Sequence, residues 1–302
     1  MSSFASIGTA AEGEMGWQHT GDERTISVAY WSIRGLGAPL RMMVMYGGYR
    51  LRCVSYTVRA NEEDGSVDYA GSSWMATEKP ELKKDHPLIN LPWIQIQGRP
   101  EEGEEDVVVV TQSGACFTYL GRRMGLMGKN AGEECKIEEL VCEVKDLRDK
   151  MVSFAYGSSP HTPEVNWKIM TTKSGSWQKI ENHLAIKTGS KLYCVGDAPT
   201  VADFHLFEMI DQYHAMAVTY SLDAARDPGS SDSELVHLYA FYENFKALPE
   251  NQAYLTSELH DGYPLNNKAA PFGSTPATKK WRKWDLAEDG QQEFPVVVYY
   301  QR

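Results

Sequence analysis

The chain has 302 residues, 42% of them apolar and 24% charged, and a formal net charge of −11. This length allows two domains, and the acidic balance argues against nucleic acid as a partner, because phosphate recognition needs a clustered basic surface. No apolar run approaches the roughly 20 residues that span a bilayer, which also argues against a membrane partner.

The first part of the chain predicts a tail followed by a strand–helix–strand unit. Residues 1–24 are small, polar and acidic and lack the basic start and apolar centre of a secretory signal, so we predict a flexible tail. Residues 26–31 predict a strand, residues 36–47 a helix with one apolar face, and residues 51–58 a second, alternating strand. The polar residues 59–86 predict a long excursion.

A strand–strand–helix unit comes next. Residues 90–97 and 107–111 predict two strands separated by an acidic turn, and residues 113–125 predict a helix with Ser113 as its N-cap. The order is therefore βαβ, loop, ββα. We predict an α/β domain over residues 25–125.

The following region predicts helices only. Its apolar periodicity gives four helices, over residues 135–156, 174–189, 196–216 and 235–248. In the third helix, Thr200 and Asp203 have the spacing of a capping box. We predict an all-α domain over residues 133–255.

The last residues, 256–302, form an extension of different composition. They contain VVVYY, which would be an aggregation hazard as an unpaired strand, so we expect the extension to dock on the body. KKWRKW, residues 279–284, mixes basic and aromatic side chains. It fits either a surface for acidic lipid or nucleic acid or a local role in packing and solvation, and the net acidity of the chain favours the second.

Cysteine and histidine patterns bear on location and cofactors. The five cysteines, an odd number, form no C-x-x-C pair, which fits reduced thiols in a cytoplasmic protein. The eight histidines have no metal-ligand spacing, so no metal is expected. A nucleotide cofactor is not expected either, because no G-x-G-x-x-G or G-x-x-x-x-G-K-[ST] motif occurs.

Four segments in order, YWSIRGLGAPLR, NLPW, TQSGACFTYLGRR and GDAPTVADF, carry a family likeness. They resemble the cytosolic glutathione transferases, mu class first and sigma class next, over residues 26 to about 255. The resemblance implies a thioredoxin-like N-terminal domain, βαβ–ββα, followed by an all-α C-terminal domain. It also implies a homodimer, a role in detoxification, and glutathione as a substrate with no cofactor.

Tyr30 and Trp31 match the start of the family's Y-W-x-I-R-G motif. The resemblance implies that Tyr30 is catalytic and that Trp31 packs behind the site. A free thiol titrates near 8.5, and a hydroxyl donor together with the amino end of the following helix favours the thiolate. Without the resemblance, a half-buried strand aromatic is the better interpretation of Tyr30, because that is the commoner fate of a tyrosine in a strand.

The resemblance also implies which residues bind glutathione in the N-terminal domain. Leu91-Pro92 matches a Leu–cis-Pro pair that offers its backbone to the tripeptide, with Asn90 beside it. Gln112 and Ser113 match a Gln-Ser pair that receives the γ-glutamyl carboxylate at a helix start.

Trp74 and Lys79 match the pair that holds the glycine carboxylate, with a departure. In the mu class the lysine follows the tryptophan by four residues, and here it follows by five. The class also has an arginine three residues before the tryptophan, where this chain has Gly71.

Three residues of the helical domain match further family positions. Tyr156 resembles the second active-site tyrosine, which touches the electrophile. The acid that reaches the partner subunit's glutathione falls on Asp146 or on Asp149, depending on where the alignment is anchored. Either acid also fits an ordinary solvated helix face.

The resulting hypothesis is an enzyme that conjugates glutathione to small apolar electrophiles. A close variant is a glutathione-dependent isomerase that uses the same thiolate. The alternative from another class is a non-catalytic scaffold or binding protein that kept the fold. The long loop and the extension allow it, whereas Tyr30, Pro92, Gln112 and Ser113 favour the enzyme.

Overall fold

A computed structural model describes residues 6–9, 16–17, 23–60, 67–274 and 296–300. The segment KKWRKW and most of the predicted N-terminal tail lie outside these ranges. The chain divides into two compact units. The first comprises Met1–Leu120, Ala253–Ala269 and Gly273–Arg302, and the second comprises Gly121–Gln252 and Ala270–Phe272.

The described residues form eight strands and ten α-helices. The strands are β1 Ser6–Thr9, β2 Thr25–Trp31, β3 Arg50–Tyr56, β4 Arg59–Ala60, β5 Val67–Asp68, β6 Trp93–Gln97, β7 Val107–Thr111 and β8 Val296–Tyr300. The helices are α1 Gly37–Tyr46, α2 Lys79–Leu82, α3 Ser113–Arg123, α4 Ala131–Ala155, α5 Pro163–Met170, α6 Ser176–Ile186, α7 Val201–Tyr220, α8 Val236–Ala247, α9 Gln252–Leu255 and α10 Glu258–Asp261.

A six-stranded sheet in the order β1-β8-β3-β2-β6-β7 organises the first unit. Strands β2 and β3 are parallel and are joined through α1, whereas β6 and β7 are antiparallel and lead into α3. This is the predicted βαβ–ββα order. Strand β2 has a sheet neighbour on each edge, and its side chains are buried almost throughout.

Both ends of the chain contribute strands to the sheet. Val296–Tyr300, in the predicted extension, pairs antiparallel with β3 over its full length. Ser6–Thr9, within the predicted flexible tail, pairs with the other side of this strand. The backbone groups of β3 that would otherwise form a sheet edge are therefore satisfied, which removes a site of aggregation.

Helix α7 lies at the centre of the second unit and is buried along most of its length. Its start is the predicted capping box. The Thr200 side chain accepts from the Asp203 N–H, and the Asp203 carboxylate accepts from the Thr200 N–H. Helix α4 buries six of its apolar positions and one alanine on the predicted face, namely Ile137, Leu140, Val144, Leu147, Met151, Phe154 and Ala155. None of the helices in the described residues combines the length and apolar character needed to cross a bilayer.

Two local expectations differ from the structure. Helix α5 was not predicted; it begins at Pro163 after Thr162, whose side chain caps it, and its short apolar pattern is weak. Ser113 is the first residue of α3 and not its cap, because the Gln112 carbonyl already accepts from the Cys116 N–H. All five cysteines are free thiols.

A histidine–carboxylate pair in the second unit makes stability depend on pH. His214 Nδ1 lies 2.7 Å from the buried Asp227 carboxylate, and this hydrogen bond raises the pKa of His214. Its stabilising contribution is complete below the unfolded pKa near 6.5 and is lost as pH rises through the higher folded pKa.

We expect His214→Gln to remove this dependence. Between about pH 6 and pH 8, the unfolding free energy of the natural chain should fall by roughly 0.5–1 kcal/mol more than that of the variant, since the histidine is partly exposed and screened. Urea unfolding at several pH values measures the difference. His161→Gln, at an exposed site, is the control, and equal pH profiles for the natural chain and His214→Gln would contradict the prediction.

Candidate functional site

Strand register brings three predicted site segments to one level of the sheet. Ala29 of β2 lies opposite Trp93 of β6, and Trp93 lies opposite Thr111 of β7. Tyr30 follows Ala29, Pro92 precedes Trp93, and Gln112 follows Thr111. These three residues therefore lie side by side. Neighbouring strands are about 4.8 Å apart, so the three positions span roughly 10 Å.

The Tyr30 ring packs on the turn that leads into α1. A Cβ atom built on Gly35 would lie 2.8 Å from a ring carbon and 3.2 Å from the hydroxyl oxygen, and Gly35 also has a positive φ of 40°. Glycine is therefore required there. The ring is only 6% exposed, but its hydroxyl oxygen is not fully enclosed, and no described residue forms a hydrogen bond with it.

Arg41 holds the turn in place, a role that the sequence analysis missed. This fully buried side chain donates to the carbonyls of Ile33 and Trp31 at 2.8 and 3.1 Å. Its guanidinium also lies 4.9 Å from the centre of the Tyr263 ring. A charged residue inside the apolar run LRMMVM was the available signal, because burying an arginine requires partners of this kind.

The chain after α10 packs against the same turn. The N–H groups of Arg34 and Gly35 donate to the carbonyls of Pro264 and Leu265, at 2.8 and 3.3 Å. The side chain of Asn267 is hydrogen-bonded to that of Tyr69, and the Tyr69 ring meets Trp31 edge-on at 5.6 Å. Trp31 is thus half-buried between the sheet and the excursion after β3.

The Leu91–Pro92 bond is cis, as the resemblance implies. No described residue bonds the backbone N–H or C=O of Leu91. Next to it, the Asn90 backbone is fixed by the Thr111 hydroxyl, which bonds both its N–H and its carbonyl at 2.9 Å. The free Leu91 groups are placed to receive an extended peptide as an added strand.

Gln112 and Ser113 open α3 at the end of β7. Gln112 is exposed and has a φ of 70°, which is uncommon for a residue other than glycine and marks a turn fixed by its surroundings. Ser113 is half-buried, and Gly114 and Ala115 after it are exposed. The first N–H groups of this 11-residue helix therefore face a part of the surface where an anion can bind.

A π-helical turn, Trp74–Glu78, accounts for the spacing of Trp74 and Lys79. The Lys79 N–H donates to the Trp74 carbonyl, five residues back. A wide turn of this kind inserts one residue, so residue five stands where residue four stands in an α-helix. Lys79 therefore lies about one turn beyond Trp74 on the same face, and the inserted residue, Glu78, is fully buried.

Lys79 and Trp74 differ in their access to solvent. Lys79 is half-buried, with its Nζ 3.3 Å from the Asn90 side-chain oxygen and 5.9 Å from the centre of the Trp74 ring. Trp74 is 1% exposed and belongs to a core cluster with Tyr56 and Trp93. Trp74 therefore packs in the core next to Lys79, and almost none of its own surface is accessible to a ligand.

The remaining predicted residues belong to the second unit. Tyr156 caps the C-terminal end of α4 and is half-buried. Asp146 and Asp149 are both exposed on α4. Asp149 is paired with Lys145 at 2.5 Å, whereas Asp146 has no side-chain partner among the described residues.

Known proteins share this arrangement of sequence. A family model described as the C-terminal domain of glutathione S-transferase matches residues 145–258. Human glutathione S-transferase Mu 3 is 26% identical over 254 residues, which are 84% of this chain and 98% of that relative. Glutathione S-transferase Mu 1 of Oryctolagus cuniculus is 28% identical over 247 residues, 82% of this chain and 98% of the relative. Over most of its length the chain is therefore similar to mu-class glutathione transferases.

Solved structures agree with this chain in fold. A Pi-class glutathione S-transferase of Onchocerca volvulus superimposes with a TM-score of 0.57 at 22% identity, over 81% of this chain and 99% of the other. The predicted fold class, a thioredoxin-like domain followed by an all-α domain, is confirmed. This mu relative is matched over 98% of its length but accounts for 84% of this chain, so the chain has residues beyond the matched length.

Proposed function

We propose that this protein is a glutathione transferase that conjugates the glutathione thiolate to small apolar electrophiles and that the Tyr30 hydroxyl keeps the thiolate ionised. The observation that carries the proposal is the common level of Tyr30, Pro92 and Gln112 across three neighbouring strands. A bound tripeptide would cross this level with its cysteine on the free Leu91 backbone. Its γ-glutamyl carboxylate would lie at Ser113 and the start of α3.

The chemistry needs an anion at the sulfur. A free thiol is mostly protonated at neutral pH, and both a donated hydrogen bond and the positive end of α1 lower its pKa. The thiolate then attacks an electrophilic carbon. With an aryl chloride, a C–S bond forms and chloride leaves with the electron pair of the broken C–Cl bond.

In this proposal, Lys79 supplies the positive charge for the glycine carboxylate, because Gly71 stands where the mu class has an arginine. We expect Lys79→Met to raise the glutathione Kd about tenfold, because a hydrogen bond to a charged group is lost. The value of kcat at saturating glutathione should change little, since the lysine is far from the reacting sulfur.

Calorimetric titration and steady-state kinetics measure the two quantities. Lys83→Met, an exposed lysine one turn further on, is the control and should leave Kd unchanged. Equal glutathione Kd values for Lys79→Met and Lys83→Met would exclude Lys79 as a ligand.

Two other functions, a non-catalytic scaffold and a glutathione-dependent isomerase, are compatible with the same fold. One pair of assays distinguishes them from the conjugating enzyme. Retention on immobilised glutathione reports peptide binding, and turnover with a chlorinated nitrobenzene reports chemistry. Retention with turnover supports the conjugating enzyme. Retention without turnover would favour a scaffold, or an isomerase that uses the same thiolate on another substrate class.

The same proposal covers the contact with the second substrate and the oligomeric state. Tyr156 would contact the electrophile, and two chains would form a homodimer in the cytoplasm, where five free thiols fit a reducing environment. Asp146 is favoured over Asp149 as the acid that reaches the partner's glutathione, because Lys145 already neutralises Asp149.

A further inference from the structure

A buried polar network joins both ends of the chain to the residue before Lys79. The Glu78 carboxylate accepts from the Tyr56 hydroxyl at 2.5 Å and from the Gly16 N–H at 2.8 Å. The Gly16 carbonyl in turn accepts from the fully buried Arg52 at 2.5 Å. A carboxyl group buried to this degree, whether ionised or protonated, destabilises the fold unless hydrogen-bond partners of this kind satisfy it.

The C-terminal strand contributes to the same network. The Arg52 Nε donates to the Tyr299 hydroxyl at 3.2 Å, and the Tyr299 ring receives the Arg50 guanidinium at 4.7 Å. On the same face of β8, Val297 is fully buried in the core cluster that contains Tyr56 and Trp74, and Tyr299 packs against this cluster. Strand β8 therefore reaches the residues around Lys79 both through polar contacts and through packing.

We propose that β8 and Gly16 position Lys79 for the glycine end of glutathione, with Glu78 as the positioning residue. This inference rests on the proposed function. Glu78 is the residue that the π-helical turn inserts, and its anchoring fixes the rotation of that turn. Because Lys79 is the next residue, loss of the anchor turns the ammonium group away from Asn90 and from the carboxylate that it would bind.

Strand β8, which the C-terminal extension adds to the sheet, therefore affects the affinity for the glycine end of glutathione and not for the rest of the tripeptide. The hydrogen bonds of the network do not involve Leu91, Gln112 or Ser113, although the Leu91 side chain packs on the same core cluster. A ligand without glycine should therefore be insensitive to it. The dipeptide γ-glutamylcysteine is such a ligand.

The test is calorimetric titration of the full chain with glutathione and with γ-glutamylcysteine. Glu78→Gln should raise the glutathione Kd about tenfold, and Tyr299→Phe, which deletes one hydroxyl, about threefold. The γ-glutamylcysteine Kd should stay within about twofold for both variants. The matched control is Glu81→Gln, an exposed carboxyl on the same turn, which should change neither Kd.

Three results would overturn the inference. One is an equal loss of affinity for both ligands, which would make the network a general stabiliser of the domain. Another is an unchanged glutathione Kd in both folded variants. The last is a natural chain that binds the two ligands equally well, since it would then have no glycine subsite; a natural chain that binds neither contradicts the proposed function itself.

Discussion

Tyr30→Phe should lower kcat/KM for a chlorinated nitrobenzene by about 10- to 100-fold, because a hydrogen bond to an anion is worth roughly 1.5–3 kcal/mol. The ring would keep its packing on Gly35, so the turn should be preserved. The glutathione Kd should also be preserved at a pH below the pKa of the bound thiol, where the bound sulfur is protonated in both proteins. Steady-state kinetics and calorimetric titration separate the two effects. The loss should be confined to the chemical step.

The control for this substitution is Tyr239→Phe, which deletes a hydroxyl on α8 in the second unit. It should leave kcat/KM within about twofold of the natural value. If Tyr30→Phe behaves in the same way, the phenol does not stabilise the thiolate and the proposed chemistry is wrong.

Asp203→Ala should reduce the free energy of unfolding by about 2–4 kcal/mol. The carboxylate accepts from the backbone N–H groups of Cys194 and Thr200, both at 2.7 Å, and from the Thr200 hydroxyl at 2.6 Å. Alanine would leave these buried donors without a partner at the start of α7, the central helix of its unit. Urea unfolding measures the loss.

The pH of that measurement matters. Burial raises the pKa of the Asp203 carboxyl to about 6, so it is an anion and a strong acceptor at about pH 8. Asp232→Ala removes an exposed carboxyl and should cost less than about 0.5 kcal/mol. A loss of that small size for Asp203→Ala would show that the capping box contributes little.

Regular elements of this fold were predictable because their signals are local. The β-branched run VVVV and the apolar face of α4 gave β7 and α4 with ends within a few residues, and the Thr200–Asp203 spacing gave the start of α7. The cis bond before Pro92 followed from a family motif, and the structure confirms it.

Features that depend on distant contacts were not predictable. Nothing local indicates that Val296–Tyr300 pairs with β3, since strand partners are set by the whole fold. The burial of Arg41 and Glu78 depends in the same way on partners far along the chain. The π-helical turn compensates for the extra residue between Trp74 and Lys79, and a linear motif cannot contain that information.

The most direct test of the account is an ultraviolet titration of the thiolate of bound glutathione. In the natural chain, the bound thiol should ionise at least about one pH unit below the value near 8.5 of a free thiol. In Tyr30→Phe, the ionisation should return toward 8.5 while the tripeptide remains bound. Identical titrations near 8.5 in both proteins would contradict the claim that the Tyr30 hydroxyl holds the sulfur as an anion.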